Sequence, residues 1–284
     1  MATPKALINE DERLPMLLVF QRVSDNTAQL TRFVDRGRGI YLYDTDGREY
    51  IEATASFYVA ALGYQNDELI DAIEAQYREL PFCVSALNRT SRSSLELSEK
   101  LVEILPLKNA HVMYGSTGSE ANDFLIKMLR FGAIARGEPQ RQTIIGRHGS
   151  YHGGTLATAS LTGGHHEEFG LPIAGFKHVA QADYHGDHEP GESPAEYSAR
   201  LAAELEALIE REPQDSIAAF MTEAVSFSAG FKLPPAEYFP AMRTVLDRHG
   251  IEFVADEVVT GYGRTGQFWG SDTFDQIGRT TGRE

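Results

Sequence analysis

IAAFMTEAVSFSAGFKLPPAEYFPAMRTVLDRHGIEFVADEVV, residues 217–259, decides the fold class. Ile217–Val225 is an apolar run of strand length, and Pro235–Arg248 carries apolar residues at helical spacing. Ile251–Val259 is a second apolar run, ending on the acidic pair Asp256-Glu257. Strand, helix and strand in that order make a βαβ unit. Such strands, apolar throughout, belong to a parallel sheet covered on both faces.

The same rhythm runs back to Lys108. Ala110–Tyr114, Gln142–Ile145 and Phe176–Ala180 read as strands, and 118–135 and Pro194–Ile209 as helices. Residues 181–194, rich in His, Asp, Gly and Pro, read as a surface loop. Before Lys108 the pattern differs. GIYLYDTDGREYIEA, from Gly39, predicts a hairpin turning at Asp46-Gly47. NDELIDAIEAQYREL, from Asn66, predicts a helix capped by Asn66 or Asp67, and Ser93–Leu105 predicts a second amphipathic helix. Residues 1–35 are a polar lead-in with one apolar patch, Leu14–Phe20.

Composition narrows the function classes. With 42% apolar and 24% charged residues, the 284-residue chain has material for a sizeable core. A net charge of −15 repels phosphate backbones and argues against a nucleic-acid partner. Cys83 is the single cysteine, so no internal disulfide forms, and it reads as a small core residue rather than a nucleophile. There is no apolar run long enough for a membrane span, and MATPKALINE lacks the apolar region of a secretory signal. The expectation is a soluble cytoplasmic protein.

In open α/β sheets ligands bind beyond the carboxyl ends of the strands, and four strand ends here carry unusual residues. Gly115-Ser116-Thr117-Gly118-Ser119 leads straight into a helix, whose N-terminal amides and dipole favour an anion such as phosphate. A plain turn with Ser119 as N-cap is the alternative. Tyr151-His152-Gly153-Gly154 offers a ring for stacking and glycines for close approach, or is simply a loop. Glu223 ends an apolar strand, where a carboxylate either needs a partner or meets solvent. Asp256 ends another, placed to hold a positive charge such as a protonated pyridine nitrogen. Asp256 and Glu257 face opposite sides of a strand, which disfavours shared metal binding. The stretches around His165-His166 and His185–His188 match no zinc spacing, so no metal is expected.

In this order, GSTGSEAND from Gly115, SYHGGT from Ser150 and ADEVVTGYGRTGQF from Ala255 resemble the class III aminotransferases. These are the ω-amino acid and amine transaminases of fold-type I, which use pyridoxal 5'-phosphate. The resemblance runs from about Gly39 to Phe274 and implies an α/β fold with a mostly parallel, seven-stranded type of large domain. It implies that residues 1–65 belong to a small domain, and that residues 66–284 form the cofactor-binding large domain, incomplete at its end. Ser116, Thr117, Gly118 and Ser119 would hold the cofactor phosphate. Tyr151 would stack on the pyridine ring with His152 beside it, Val258 would pack on the other face, and Asp256 would keep the ring nitrogen protonated. Glu223 would support Asp256, and Tyr58 would line the substrate pocket. The partners implied are an amine donor, a keto-acid acceptor such as pyruvate, and a second copy in a homodimer.

The chain departs from the family at Ser116-Thr117, usually Asn-Ser, and at Glu223-Ala224-Val225, usually Glu-Pro-Val. The Schiff-base lysine of the family lies about thirty residues past the Asp, at or beyond Glu284. None of Lys5, Lys100, Lys108, Lys127, Lys177 and Lys232 stands there, although Lys232 follows Glu223 in a loop. DQIGRTTGRE, the closing stretch, does not resemble the family's approach to that lysine. The expectation is therefore a truncated chain that is inactive by itself and prone to aggregate through uncovered apolar faces. The competing expectation is a truncated or short protein with at most non-covalent binding of pyridoxal 5'-phosphate and no transaminase activity.

Overall fold

The structure, a computed structural model, describes residues 13–18, 22–27, 31–164 and 167–274. Its chain divides into two compact units, Met1–Ala110 and His111–Glu284.

In the first unit, β1 (Val34–Arg38), β2 (Tyr41–Asp44) and β3 (Glu49–Ile51) form an antiparallel sheet in that order. Strands β2 and β3 are the hairpin predicted around Asp46-Gly47, and Gly47 takes the φ of +81° that the turn demands. Asp44 locks the turn: its carboxylate accepts the Asp46 and Arg48 amides at 2.9 Å and the Tyr50 hydroxyl at 2.8 Å. The predicted helices follow as α1 (Asp67–Glu79) and α2 (Arg92–Ile104), capped by Asn66 and Ser91. No residue of either helix is buried. Cys83, in the connection between them, is exposed rather than in a core. Phe20, at the end of the apolar patch, lies outside the described residues.

The second unit opens with α3 (Gly118–Ala135), β4 (Thr143–Arg147), α4 (Leu156–Leu161) and β5 (Phe176–Val179). It continues through α5 (Tyr184–Asp187), α6 (Pro194–Arg211), β6 (Ile217–Glu223), α7 (Tyr238–His249), β7 (Glu252–Asp256) and α8 (Gly270–Thr273). The strand order is β5-β4-β6-β7, and every neighbouring pair is parallel. The two-residue period of the strands sorts the core onto two faces. Ile145 and Phe220 pack with Leu201 and Leu205 of α6 and Met242 and Leu246 of α7. Ile144, Ala219 and Met221 pack with Ile126 of α3 and Leu161 of α4. All residues of β4 and β6 are buried, as expected of a parallel sheet covered by helices on both sides.

Four parallel strands lie among the described residues, in keeping with the mostly parallel α/β fold expected of an incomplete large domain. One expectation changes. Ala110–Tyr114 forms no strand, because no described segment pairs with it and a strand exists only through its ladder. No helix among the described residues is long and apolar enough to cross a membrane.

The carboxyl end of β4 is approached by Gly163, which bridges to His148. A Cβ on Gly163 would overlap the Arg147 carbonyl oxygen and stand 2.5 Å from the His148 Cα, whereas one on Gly164 would meet nothing within 4 Å. Gly163→Ala is therefore expected to destabilise the fold by about 1–3 kcal/mol, and Gly164→Ala by no more than about 0.5 kcal/mol. Chemical denaturation of both variants measures this; equal effects would contradict the close approach.

Candidate functional site

β4, β6 and β7 end at Arg147, Glu223 and Asp256, and Glu223 is the register partner of Asp256. Parallel strands bring these ends to one edge of the sheet, where the loops after β4 and β7 and the start of α3 converge.

Asp256 is buried, and its two oxygens are held from three directions. His152 Nδ1 lies 2.9 Å from Oδ2, Asn122 Nδ2 donates to Oδ2 at 3.3 Å, and the Val258 amide donates to Oδ1 at 3.1 Å. His152 donates its bond to Asp256 in the tautomer that carries its proton on Nδ1. Nε2 of His152 is buried and has no partner among the described residues. Asn122 also donates to the His152 carbonyl at 2.8 Å, so α3, the loop after β4 and β7 meet in one side chain.

Glu223 is buried too, not solvated as a strand end would allow. Its Oε2 accepts from Ser226 Oγ at 2.8 Å, and its Oε1 from the Tyr151 amide at 3.3 Å. Burial pushes its carboxyl above the usual range, while His152, Arg147 and the two donors pull the other way.

At the start of α3 the cap is Thr117, whose Oγ1 accepts the Glu120 amide at 3.1 Å; Ser119, the expected alternative, instead accepts the Gly154 amide at 3.0 Å. The Ser116 amide donates to Glu120 Oε2 at 2.6 Å. Gly118 faces Val258, and a Cβ on it would stand 3.6 Å from Val258 Cγ2. The helix end is thereby brought against the loop that follows Asp256.

Val258 bonds Asp256 through its own amide and Tyr151 adjoins His152, yet they are 72% and 47% exposed, so both present side chains outward. Glu257 turns to other work: Oε2 accepts from the Gly270 amide and Thr260 hydroxyl, and Oε1 from the Ser271 amide, at 2.7–2.9 Å. It anchors α8 and leaves Asp256 to the site. Tyr58 lies in the first unit, on Ala55–Tyr58, four successive residues with left-handed φ.

The structure thus gathers Ser116, Thr117, Gly118, Ser119, Tyr151, His152, Glu223, Asp256 and Val258. Sequence reading missed Asn122 and Arg147. Asn122 lies four residues into α3 among polar neighbours and reads as a surface residue; Arg147 ends β4 just before a polar loop. Lys127, Lys177 and Lys232 are the lysines between residues 111 and 274. They engage the Phe124 ring, Glu212 and Asp183 respectively. Among the described residues no group of three or more His, Cys, Asp or Glu side chains is placed to hold a metal ion. His165, His166 and the closing stretch from Asp275 lie outside those residues.

The donor set suits an anionic, flat, basic ligand. Hydroxyls and helix N-terminal amides lie at one end, and a buried carboxylate at the other. On the loops beside the carboxylate, Tyr151 and Val258 present an exposed aromatic ring and an isopropyl group. Pyridoxal 5'-phosphate has these complementary features.

A family model described as Aminotransferase class-III matches residues 22–278. A vanillin aminotransferase of Capsicum frutescens is 39% identical over 245 residues, covering 85% of this chain and 53% of the relative. Putrescine–pyruvate aminotransferase of Pseudomonas aeruginosa is 34% identical over 270 residues, covering 94% and 58%. The PMP-bound form of an aminotransferase from Vibrio fluvialis superposes with a TM-score of 0.88 at 39% identity, covering 92% of this chain and 58% of that one. An ω-aminotransferase from Paracoccus denitrificans gives 0.87 at 40% identity, with the same coverage. The chain spans just over half the length of these relatives.

Glu223 makes a stability prediction. Because its folded-state carboxyl holds its proton more tightly than an unfolded one, its contribution is full below the ordinary value of 4.5 and is lost as pH rises through the higher folded value. Glu223→Gln is expected to lack that loss, so the stability gap between the two proteins changes in the variant's favour with rising pH. Urea midpoints measured across the acid-to-neutral range check this; a constant gap would contradict it.

Proposed function

The chain belongs to the class III aminotransferases, a family that uses pyridoxal 5'-phosphate, and from that membership we propose that residues 111–274 hold this cofactor. The proposed reaction moves an amino group from an amine or ω-amino acid to a keto acid such as pyruvate.

The buried Asp256 carboxylate carries this assignment. Three fixed donors orient it at a strand end, and it keeps lone pairs for one more hydrogen bond, to the N–H of a protonated pyridine. His152 and Asn122 hold the carboxylate still, so alignment costs little when a ligand arrives. Tyr151 covers one face of the ring and Val258 the other. Thr117, Gly118 and Ser119, with Ser116 beside them, receive the phosphate at the positive end of α3. Glu223 supports Asp256 from the neighbouring strand. When bound, the cofactor supplies an electron sink for the substrate carbon that carries the amine.

Tyr58 is assigned to the wall of the substrate pocket, and the working protein is assigned as a soluble cytoplasmic homodimer. A second reading, cofactor binding without transamination, draws on Lys127, Lys177 and Lys232, each held by a partner other than Asp256.

Equilibrium dialysis of the chain against pyridoxamine 5'-phosphate, which needs no lysine, tests the reading. Saturable binding is expected, weakened about tenfold or more in Asp256→Ala, since a charged hydrogen bond to a buried partner is lost. No saturable binding, or equal affinity in the variant, would sink it. Formation of alanine from pyruvate and an amine donor then separates the two readings: product supports full transamination, and binding without product supports the second.

A further inference from the structure

We propose that Arg147 is a positioning residue of the cofactor site: its buried guanidinium fixes Glu223, and Glu223 clamps the backbone of Tyr151. The inference rests on the reading of Tyr151 as the residue that covers the cofactor ring.

Arg147 is 1% exposed, the least usual place for an arginine. Its Nη2 donates to the Glu223 carbonyl at 2.8 Å and lies 3.7 Å from Glu223 Oε2, so backbone and side chain of one residue are gripped together. Both contacts come from Nη2, an amino group of the planar guanidinium with two protons to give, which the ammonium of a lysine would not place in the same way. Its guanidinium carbon also stands 5.9 Å from the Tyr238 ring, and its Nε has no partner among the described residues. A cation so enclosed needs a counter-charge, and Glu223 supplies it.

The loop after β4 traces back to this pair. Ser150 bonds the Arg147 carbonyl through its hydroxyl at 2.7 Å, and the Tyr151 amide donates to Glu223 Oε1. The His152 amide donates to Thr162 Oγ1 at 2.9 Å. Three successive residues are thereby anchored; the Ser150 bond goes to the Arg147 backbone, so Tyr151 is the one held through the guanidinium and Glu223, and its outward ring is aimed by that bond. The groups facing Glu223 are Arg147 from β4, His152 from the loop, Ser226 beyond β6 and Asp256 as its register partner on β7. Arg147 is the permanent cation among them.

Hydrogen–deuterium exchange of the ligand-free chain tests this without any cofactor. Arg147→Met is expected to speed exchange across residues 148–155 by about tenfold or more, because an unpaired buried carboxylate abandons its place. Adding Glu223→Gln is expected to restore slow exchange, since an amide oxygen accepts from Tyr151 without needing a cation. Exchange unchanged in R147M, or a loss that E223Q does not rescue, would overturn the proposal and leave Arg147 a packing residue. Arg147→Lys covers the case in which R147M does not fold: faster exchange supports the role, and wild-type exchange overturns it. Affinity for pyridoxamine 5'-phosphate, measured on the same proteins, should follow the same order. If the wild type binds none of it, the functional reading fails while the exchange result still judges Arg147.

Discussion

Two carboxylates end up side by side because Glu223 and Asp256 are register partners at the ends of adjacent parallel strands. Both are buried, and burial without compensation drives a carboxyl to its neutral form. The surroundings follow from the need to hold that pair. Arg147 and Ser226 serve Glu223, while His152, Asn122 and the Val258 amide serve Asp256. Removing one member of such a set typically costs about 3–5 kcal/mol, so these residues stand or fall together.

The fold supplies this arrangement economically. One sheet edge collects the ends of β4, β6 and β7, and the helices on both faces keep water from the strands behind it. Gly163 lets the chain after α4 lie against the end of β4. Glu257, the other half of the acidic pair, faces away and ties down α8. A single strand end thus carries one carboxylate for structure and one for the site.

Much of this was legible in the sequence, for stated reasons. The apolar runs at 217–225 and 251–259 predicted β6 and β7 because strands buried on both faces cannot alternate in polarity. Asn66 marked the start of α1 because a side-chain oxygen there accepts the Leu69 amide. The acids and hydroxyls of the site stood out because they interrupt apolar strands or precede a helix. What was missed lacked such contrast. β1, VDRGR, has charges and a glycine where a strand pattern would alternate, and only its pairing with β2 makes it a strand. Ala110–Tyr114 has the apolar pattern and no partner. Asn122 and Arg147 are polar residues in ordinary polar settings along the chain, and their burial is a product of tertiary packing alone. Thr117 rather than Ser119 caps α3, a choice of local geometry that serine-rich spacing leaves open.

The central claim is that Asp256 receives a protonated ring nitrogen. Pyridoxamine 5'-phosphate labelled with ¹⁵N in the ring, bound to the chain and observed by NMR, tests it most directly. A ring nitrogen that is protonated at neutral pH in the wild type and loses that proton in Asp256→Asn is the result predicted. A bound ring nitrogen that stays unprotonated in the wild type, or is unaffected by the substitution, would contradict it.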